Sequence, residues 1–239
     1  MQNVPTYRMH LTENAMLTAP ECDVPIVRIM LEPLAGALLR PFIPGQFVRI
    51  GIPGKPEAAP AYFAMASAPT DSRGYEFVVK CGSPLTDHLK DLRIGSSLEV
   101  EGPMGKGFDL SAFEGSDVIL MGVGTGIAPL RSVWRWLIDH REKFGSIKIY
   151  AGFLTSMHLL LTDEMAGLGE HHIDVSVSLA TGHEGWSGPI GYVQHALEND
   201  APDGSNAVVC LAGMSAMVDA CKESLQSLGF NESRILLNY

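Results

Sequence analysis

The sequence predicts two consecutive domains, an N-terminal antiparallel β-barrel and a C-terminal α/β domain built on a parallel sheet. Three observations carry that expectation. The first half is rich in short β-type runs separated by Gly and Pro, the pattern changes near Ser116 to alternating strand and helix, and residues 117–131 read as strand, glycine turn and helix. In the first half, strands are expected at residues 6–12, 24–31, 47–52, 61–67, 75–80 and 97–100. Val27, Ile29 and Leu31 alternate with Arg28, Met30 and Glu32, and Tyr75, Phe77 and Val79 alternate with Glu76, Val78 and Lys80. That is the two-residue period of a strand with one buried face. One helix, at residues 85–92, interrupts the strands, and such a set closes most readily into an antiparallel barrel.

In the second half, strands are expected at residues 117–121, 147–153, 172–178, 207–212 and 234–238. Helices are expected near residues 128–140, 162–168, 191–198 and 215–227. Strand–helix alternation implies a parallel sheet covered on both faces. The join falls in the turn-rich stretch 108–116, which divides the chain into residues 1–112 and 113–239.

Composition narrows the function. The chain has 239 residues, 46% hydrophobic and 18% charged, as expected of a globular protein with two ordinary cores. A net charge of −10 opposes nucleic acid or an anionic membrane as partner. The start has no apolar run behind a basic end and no stretch has membrane-spanning length, so a cytoplasmic protein is expected. Four cysteines, at 22, 81, 210 and 221, form no C-x-x-C pair. That argues against a zinc site or iron–sulfur cluster and for reduced, mostly buried thiols.

Residues 117–131 carry the clearest chemistry. Asp117 to Met121 form a short apolar strand, Gly122, Gly124 and Gly126 turn the backbone, and Ile127, Leu130, Trp134 and Leu137 fall on one helical face. A glycine turn that opens a helix aims backbone N–H groups and the positive end of the helix dipole outward, a site for a phosphate. Read alone, the same run also suits a plain tight turn. It is not the standard Rossmann fingerprint, since no acid stands where it would hold a ribose.

With this turn in place, the order of motifs resembles the ferredoxin–NADP reductase superfamily of flavin-dependent oxidoreductases. The landmarks are Pro44-Gly45-Gln46-Phe47, residues 61–69, Gly102-Pro103-Met104-Gly105-Lys106-Gly107-Phe108, residues 122–132, residues 186–192 and residues 211–217. The resemblance implies a flavin-binding barrel, a nicotinamide-nucleotide domain and a flavin ring in the cleft between them. The family's Arg-x-Tyr-Ser motif aligns with Ala61, Tyr62, Phe63 and Ala64, followed by Met65, Ala66 and Ser67. Phe63 is expected to supply the stacking ring, while Ala61 replaces the phosphate-binding arginine and Ala64 the hydroxyl beside flavin N5. The second flavin motif aligns near Val79, Lys80, Gly82, Ser83 and Thr86, where Ser83 or Thr86 and a helix start would hold the pyrophosphate and Lys80 would add charge. A Ser-Pro helix cap is the competing reading of that stretch.

On the nucleotide side, Gly124, Thr125, Gly126, Pro129 and Arg131 match the family's phosphate turn. The signature near nicotinamide becomes Ala212, Gly213, Met214 and, three residues on, Met217; Ala212 stands where many members carry a cysteine. Cys210 lies two residues earlier, roughly 7 Å along a strand, and reads as a core thiol. Tyr239 resembles the terminal aromatic ring that covers the flavin in plant-type reductases, with Leu237 in place of their glutamate. Phe63, Ala64, Ala212 and Tyr239 are thus the positions expected beside the reacting atoms.

The expected cofactors are FAD, with FMN as the alternative, and NADH in preference to NADPH. A 2′-phosphate needs Lys or Arg, and there is neither between Lys148 and Lys222; Thr155, Ser156 and His158 alone remain after the second strand. The expected activity is hydride transfer from the nucleotide to flavin, with electrons passed to an unidentified acceptor or partner subunit. Two alternatives stand beside it. One is an electron-transfer subunit like those of dihydroorotate dehydrogenase or hydrogenase, though without their cysteine-rich cluster region. The other is a non-catalytic binding protein that has kept the fold.

Overall fold

The computed structural model describes residues 5–239. Six strands form the first sheet: β1 (Thr6–Met16), β2 (Ile26–Pro33), β3 (Phe47–Gly51), β4 (Ala61–Ala64), β5 (Tyr75–Lys80) and β6 (Ser97–Met104). Their order is β4-β3-β6-β1-β2-β5, with antiparallel pairing throughout. The two edge strands curl together, and Ala66 N donates to Glu76 O at 2.7 Å just beyond β4. The expected strand at residues 61–67 therefore ends early, because its last residues leave β3 to meet β5. Met9, Leu11, Ile29, Leu31, Val48, Ile50, Phe77 and Val100 fill the interior. Helix α1 (Pro84–Asp91) closes one side with Leu85 and Leu89.

The second sheet holds β7 (Asp117–Val123), β8 (Ile147–Phe153), β9 (Ile173–Leu179), β10 (Ala207–Ala212) and β11 (Ile235–Leu237), all parallel, in the order β11-β10-β7-β8-β9. Helices α2 (Ile127–Asp139) and α3 (Thr162–Gly167) cover one face, and α4 (Val193–Asp200) and α5 (Ser215–Ser227) the other. The alternation along β7 makes this possible. Val118 and Leu120 pack with Leu130, Trp134 and Met165, while Ile119 and Met121 pack with Val193 and Leu197 on the opposite face.

Outer-face residues of the barrel, Ile26, Ala66 and Val78, join the core beneath α2, so the two sheets share one packed seam. This explains why β5 departs from strict alternation. Glu76 and Val78 occupy its outward positions and are still buried. No helix among the described residues is long and apolar enough to cross a membrane.

Candidate functional site

The parallel sheet reverses its winding between β7 and β10, so their carboxyl ends diverge into a crevice where open α/β sheets place ligands. The glycine turn lies there, and each glycine has its own reason. A Cβ on Gly122 would meet Leu130 Cδ1 at 2.6 Å, and one on Gly126 would meet the Ala212 carbonyl oxygen at 2.5 Å. Gly124 has φ +53° and open space around its Cβ position, which leaves room for a ligand against the backbone. Gly126 opens α2 with no side-chain cap, so the helix start offers its N–H groups outward. Pro129 is buried in the first turn. These features fit a pyrophosphate.

Ala212 pairs with Gly122 at the crevice and is buried, whereas Gly213 and Met214 are exposed just beyond it. A Cβ on Gly213 would meet Met217 Sδ at 2.8 Å, so Met217 props the chain from beneath. Cys210 lies fully buried in the core, and burial pushes its thiol far above the ordinary range. The core reading of that thiol therefore agrees with the structure.

The barrel side revises the expected stacking ring. Phe63 stands opposite Val48 and Ala61 opposite Ile50 in the β3–β4 ladder, and both partners are fully buried in the barrel. Directly paired residues point to the same face. Phe63 and Ala61 therefore turn inward onto the barrel core, while Tyr62 and Ala64 turn outward beside Arg49 and Phe47. Tyr62 is 63% exposed and meets Phe47 edge-to-face at 5.6 Å. The outward ring is Tyr62, to which the motif match assigned no stacking role; the apolar Val48 and Ile50 on the neighbouring strand carried the signal. Met65 and Val79 are also fully buried in the barrel core, so they can offer a ligand only their backbone.

The helix-start motif resolves toward a cap. Ser83 Oγ accepts from Thr86 N at 3.3 Å, and Ser83 N donates to Thr86 Oγ1 at 3.0 Å. The two side chains thus satisfy each other in a capping box, and Thr86 is buried. Gly82 N donates to Asp87 Oδ1 at 3.0 Å. Lys80 stays exposed at the end of β5.

The landmarks at residues 44–47 and 102–108 interlock around the C-terminal segment. Gln46 Nε2 donates to Gly105 O at 2.7 Å, Phe108 N to Pro44 O at 2.6 Å, and Asn238 Nδ2 to Gly45 O at 3.1 Å. A Cβ on Gly105 would lie 2.5 Å from the Phe47 ring and 3.1 Å from Asn238 O. Tyr239 follows directly and is 65% exposed. The Phe47–Tyr62 pair and the C-terminal segment thus share a neighbourhood, and β5 runs beside the Gly124–Gly126 turn.

Arg131 turns away from the crevice. Its Nη1 lies 2.8 Å from Glu76 Oε2 and 3.1 Å from Ala66 O, and its Nε lies 2.7 Å from Glu164 Oε2. Trp134 Nε1 donates to the same glutamate at 2.9 Å. Burial opposes the guanidinium charge, but Glu164 and Glu76 outweigh it and hold Arg131 more basic than usual. It fastens the glycine-turn helix to the barrel segment that follows β4.

Known proteins agree with this architecture. Residues 120–223 match the oxidoreductase NAD-binding domain. The chain is 29% identical over 199 residues to sulfhydrogenase 1 subunit gamma of Pyrococcus furiosus, covering 82% of this chain and 67% of that one. It is 30% identical over 161 residues to the probable dihydroorotate dehydrogenase B (NAD(+)) electron transfer subunit of Methanopyrus kandleri, covering 67% of this chain and 56% of that one. In fold and in these similarities the chain resembles the ferredoxin–NADP reductase superfamily. A ferredoxin NADP+ reductase from Neisseria gonorrhoeae with bound FAD and NADP shares the fold at TM-score 0.80 and 15% identity, covering 97% of both chains. The matched domain is that of oxidoreductases that bind NAD, and it spans the glycine turn, α2 and β10.

Proposed function

We propose that the protein binds FAD against the outward face of β4 and NADH on the Gly124–Gly126 turn, and reduces an electron acceptor. The observation that carries this reading is the uncapped glycine turn at the sheet's switch point, directly beside β5 of the barrel. When bound, the flavin supplies hydride acceptance and electron storage. The protein's own residues position and shield. Gly124, Thr125 and Gly126 would hold the pyrophosphate, with Pro129 fixing the first helical turn. Tyr62 and Tyr239 would offer flat apolar faces to the ring system, and Ala64, Ala212, Gly213 and Met214 would line the path between nicotinamide and flavin. Ser83, Thr86 and Lys80 remain proposed for the flavin phosphates through the α1 start and the lysine charge, with the two hydroxyls acting first as a cap.

NADH is preferred to NADPH in this reading. His158 Nδ1 lies 2.8 Å from Thr155 Oγ1, so two of the three polar groups after β8 are engaged with each other. No Lys or Arg stands between Lys148 and Lys222 to receive a 2′-phosphate. Four free, buried cysteines fit a reducing, cytoplasmic setting. The similarity to the two electron-transfer subunits favours a second reading, in which the acceptor is a partner subunit rather than a diffusible molecule. A diaphorase assay on FAD-loaded protein tests the main reading. NADH should support turnover with an artificial acceptor at least about tenfold better than NADPH, a difference of about 1.4 kcal/mol; equal or reversed rates would remove the nucleotide assignment.

A further inference from the structure

Cys22, Asp23 and His158 come together across the seam between the two sheets. Cys22 and Asp23 belong to the connection between β1 and β2, and His158 ends the short turn Ser156–His158 after β8. The Cys22 Sγ, Asp23 carboxylate and His158 ring atoms lie within 4.8 Å of one another. Cys22 Sγ is 3.9 Å from Asp23 Oδ1, and His158 Nε2 is 3.2 Å from the same oxygen. A tetrahedral zinc with bonds of about 2.0–2.3 Å requires its ligand atoms to be about 3.3–3.8 Å apart. The two distances to Asp23 are therefore close to that spacing already, and the third pair lies within 4.8 Å.

The imidazole supplies an independent sign. His158 Nε2 is buried and makes no hydrogen bond, despite the nearby carboxylate. Its Nδ1 is held by Thr155 Oγ1 at 2.8 Å. With the proton on Nδ1, that bond orients the ring and leaves the Nε2 lone pair directed at the cluster, the support that a ligating histidine requires. Cys22 is buried, and the Asp23 side chain is 76% exposed, which leaves an open side for water.

We propose that Cys22, Asp23 and His158 bind a single zinc ion, with water as the fourth ligand. On binding, the Cys22 thiol releases its proton to solvent and its thiolate coordinates the metal. The ion would clip the barrel's β1–β2 connection to the turn after β8. Any influence on the nucleotide rests on the function proposed above, because that turn is where the ribose would approach; metal binding itself does not.

Zinc titration of the flavin-loaded full chain by calorimetry, with elemental analysis after dialysis, should give one zinc per chain. X-ray absorption should show one sulfur at about 2.3 Å and nitrogen or oxygen at about 2.0–2.1 Å. Cys22→Ser and Asp23→Asn should each weaken binding at least about tenfold, and Thr155→Val, which removes the support of His158, about 10–100-fold. Cys221→Ala should leave it unchanged. Asp23 is exposed, so its variant should fold as the parent does. Failure of the parent to retain zinc, or retention by the Cys22 and Asp23 variants equal to the parent's, would overturn the proposal. Loss of NADH oxidation with zinc retained would count against the function and leave the metal site standing.

Discussion

The Gly122–Gly126 turn and the β4 strand lie on either side of one seam, but they depend on different parts of the chain. In the proposed site the turn would bind through backbone. Two of its glycines are enforced by close approaches to Leu130 and to the Ala212 carbonyl, and the third leaves open space. The β4 side would bind through side chains, and Ala61 and Ala64 stand where the family motif has arginine and serine. A backbone site persists as long as the packing around it persists; a side-chain site can be lost by single substitutions. Nucleotide binding and flavin binding should therefore respond to separate sets of mutations.

Arg131→Met should have the largest effect, because it joins the two sides and its loss leaves Glu76 and Glu164 without their buried partner. A loss of about 3–5 kcal/mol is expected, measurable by denaturant unfolding, and the two halves should separate in their unfolding profile. Phe63→Ala should come next, costing about 2 kcal/mol of stability through a cavity on the barrel side, with flavin affinity changed less than by a substitution of Tyr62. Gly126→Ala should cost about 1–3 kcal/mol through the clash with the Ala212 carbonyl and should weaken NADH binding while flavin content holds. Tyr62→Ala should cost about 1 kcal/mol of flavin affinity, read as faster FAD release on dilution, with unfolding unchanged. Equal effects of Phe63→Ala and Tyr62→Ala on FAD release would contradict the inward and outward assignments. Tyr239→Ser should have the smallest effect on stability and should change the KM for NADH.

The strands and helices were legible because their apolar periods are strong. Residues 75–80, 147–153, 207–212 and 215–227 coincide with β5, β8, β10 and α5. The glycine turn was legible because the motif is local. What could not be read from sequence depended on register and on distant partners. Phe63 and Tyr62 are adjacent, and only pairing with the strand that carries Val48 and Ile50 decides which faces inward. Arg131 matched a phosphate-turn motif, yet Glu76 on β5 and Glu164 on α3 claim it in the fold. Ser83 and Thr86 suited both a phosphate site and a helix cap in sequence, and the capping box shows the cap formed.

The most direct test of a two-cofactor cleft is an anaerobic titration of the FAD-loaded protein, following the flavin absorbance as NADH and then NADPH is added. About one equivalent of NADH should bleach the flavin band, and NADPH should do so far less effectively. Protein that takes up no flavin, or flavin left oxidised by both nucleotides, would contradict it.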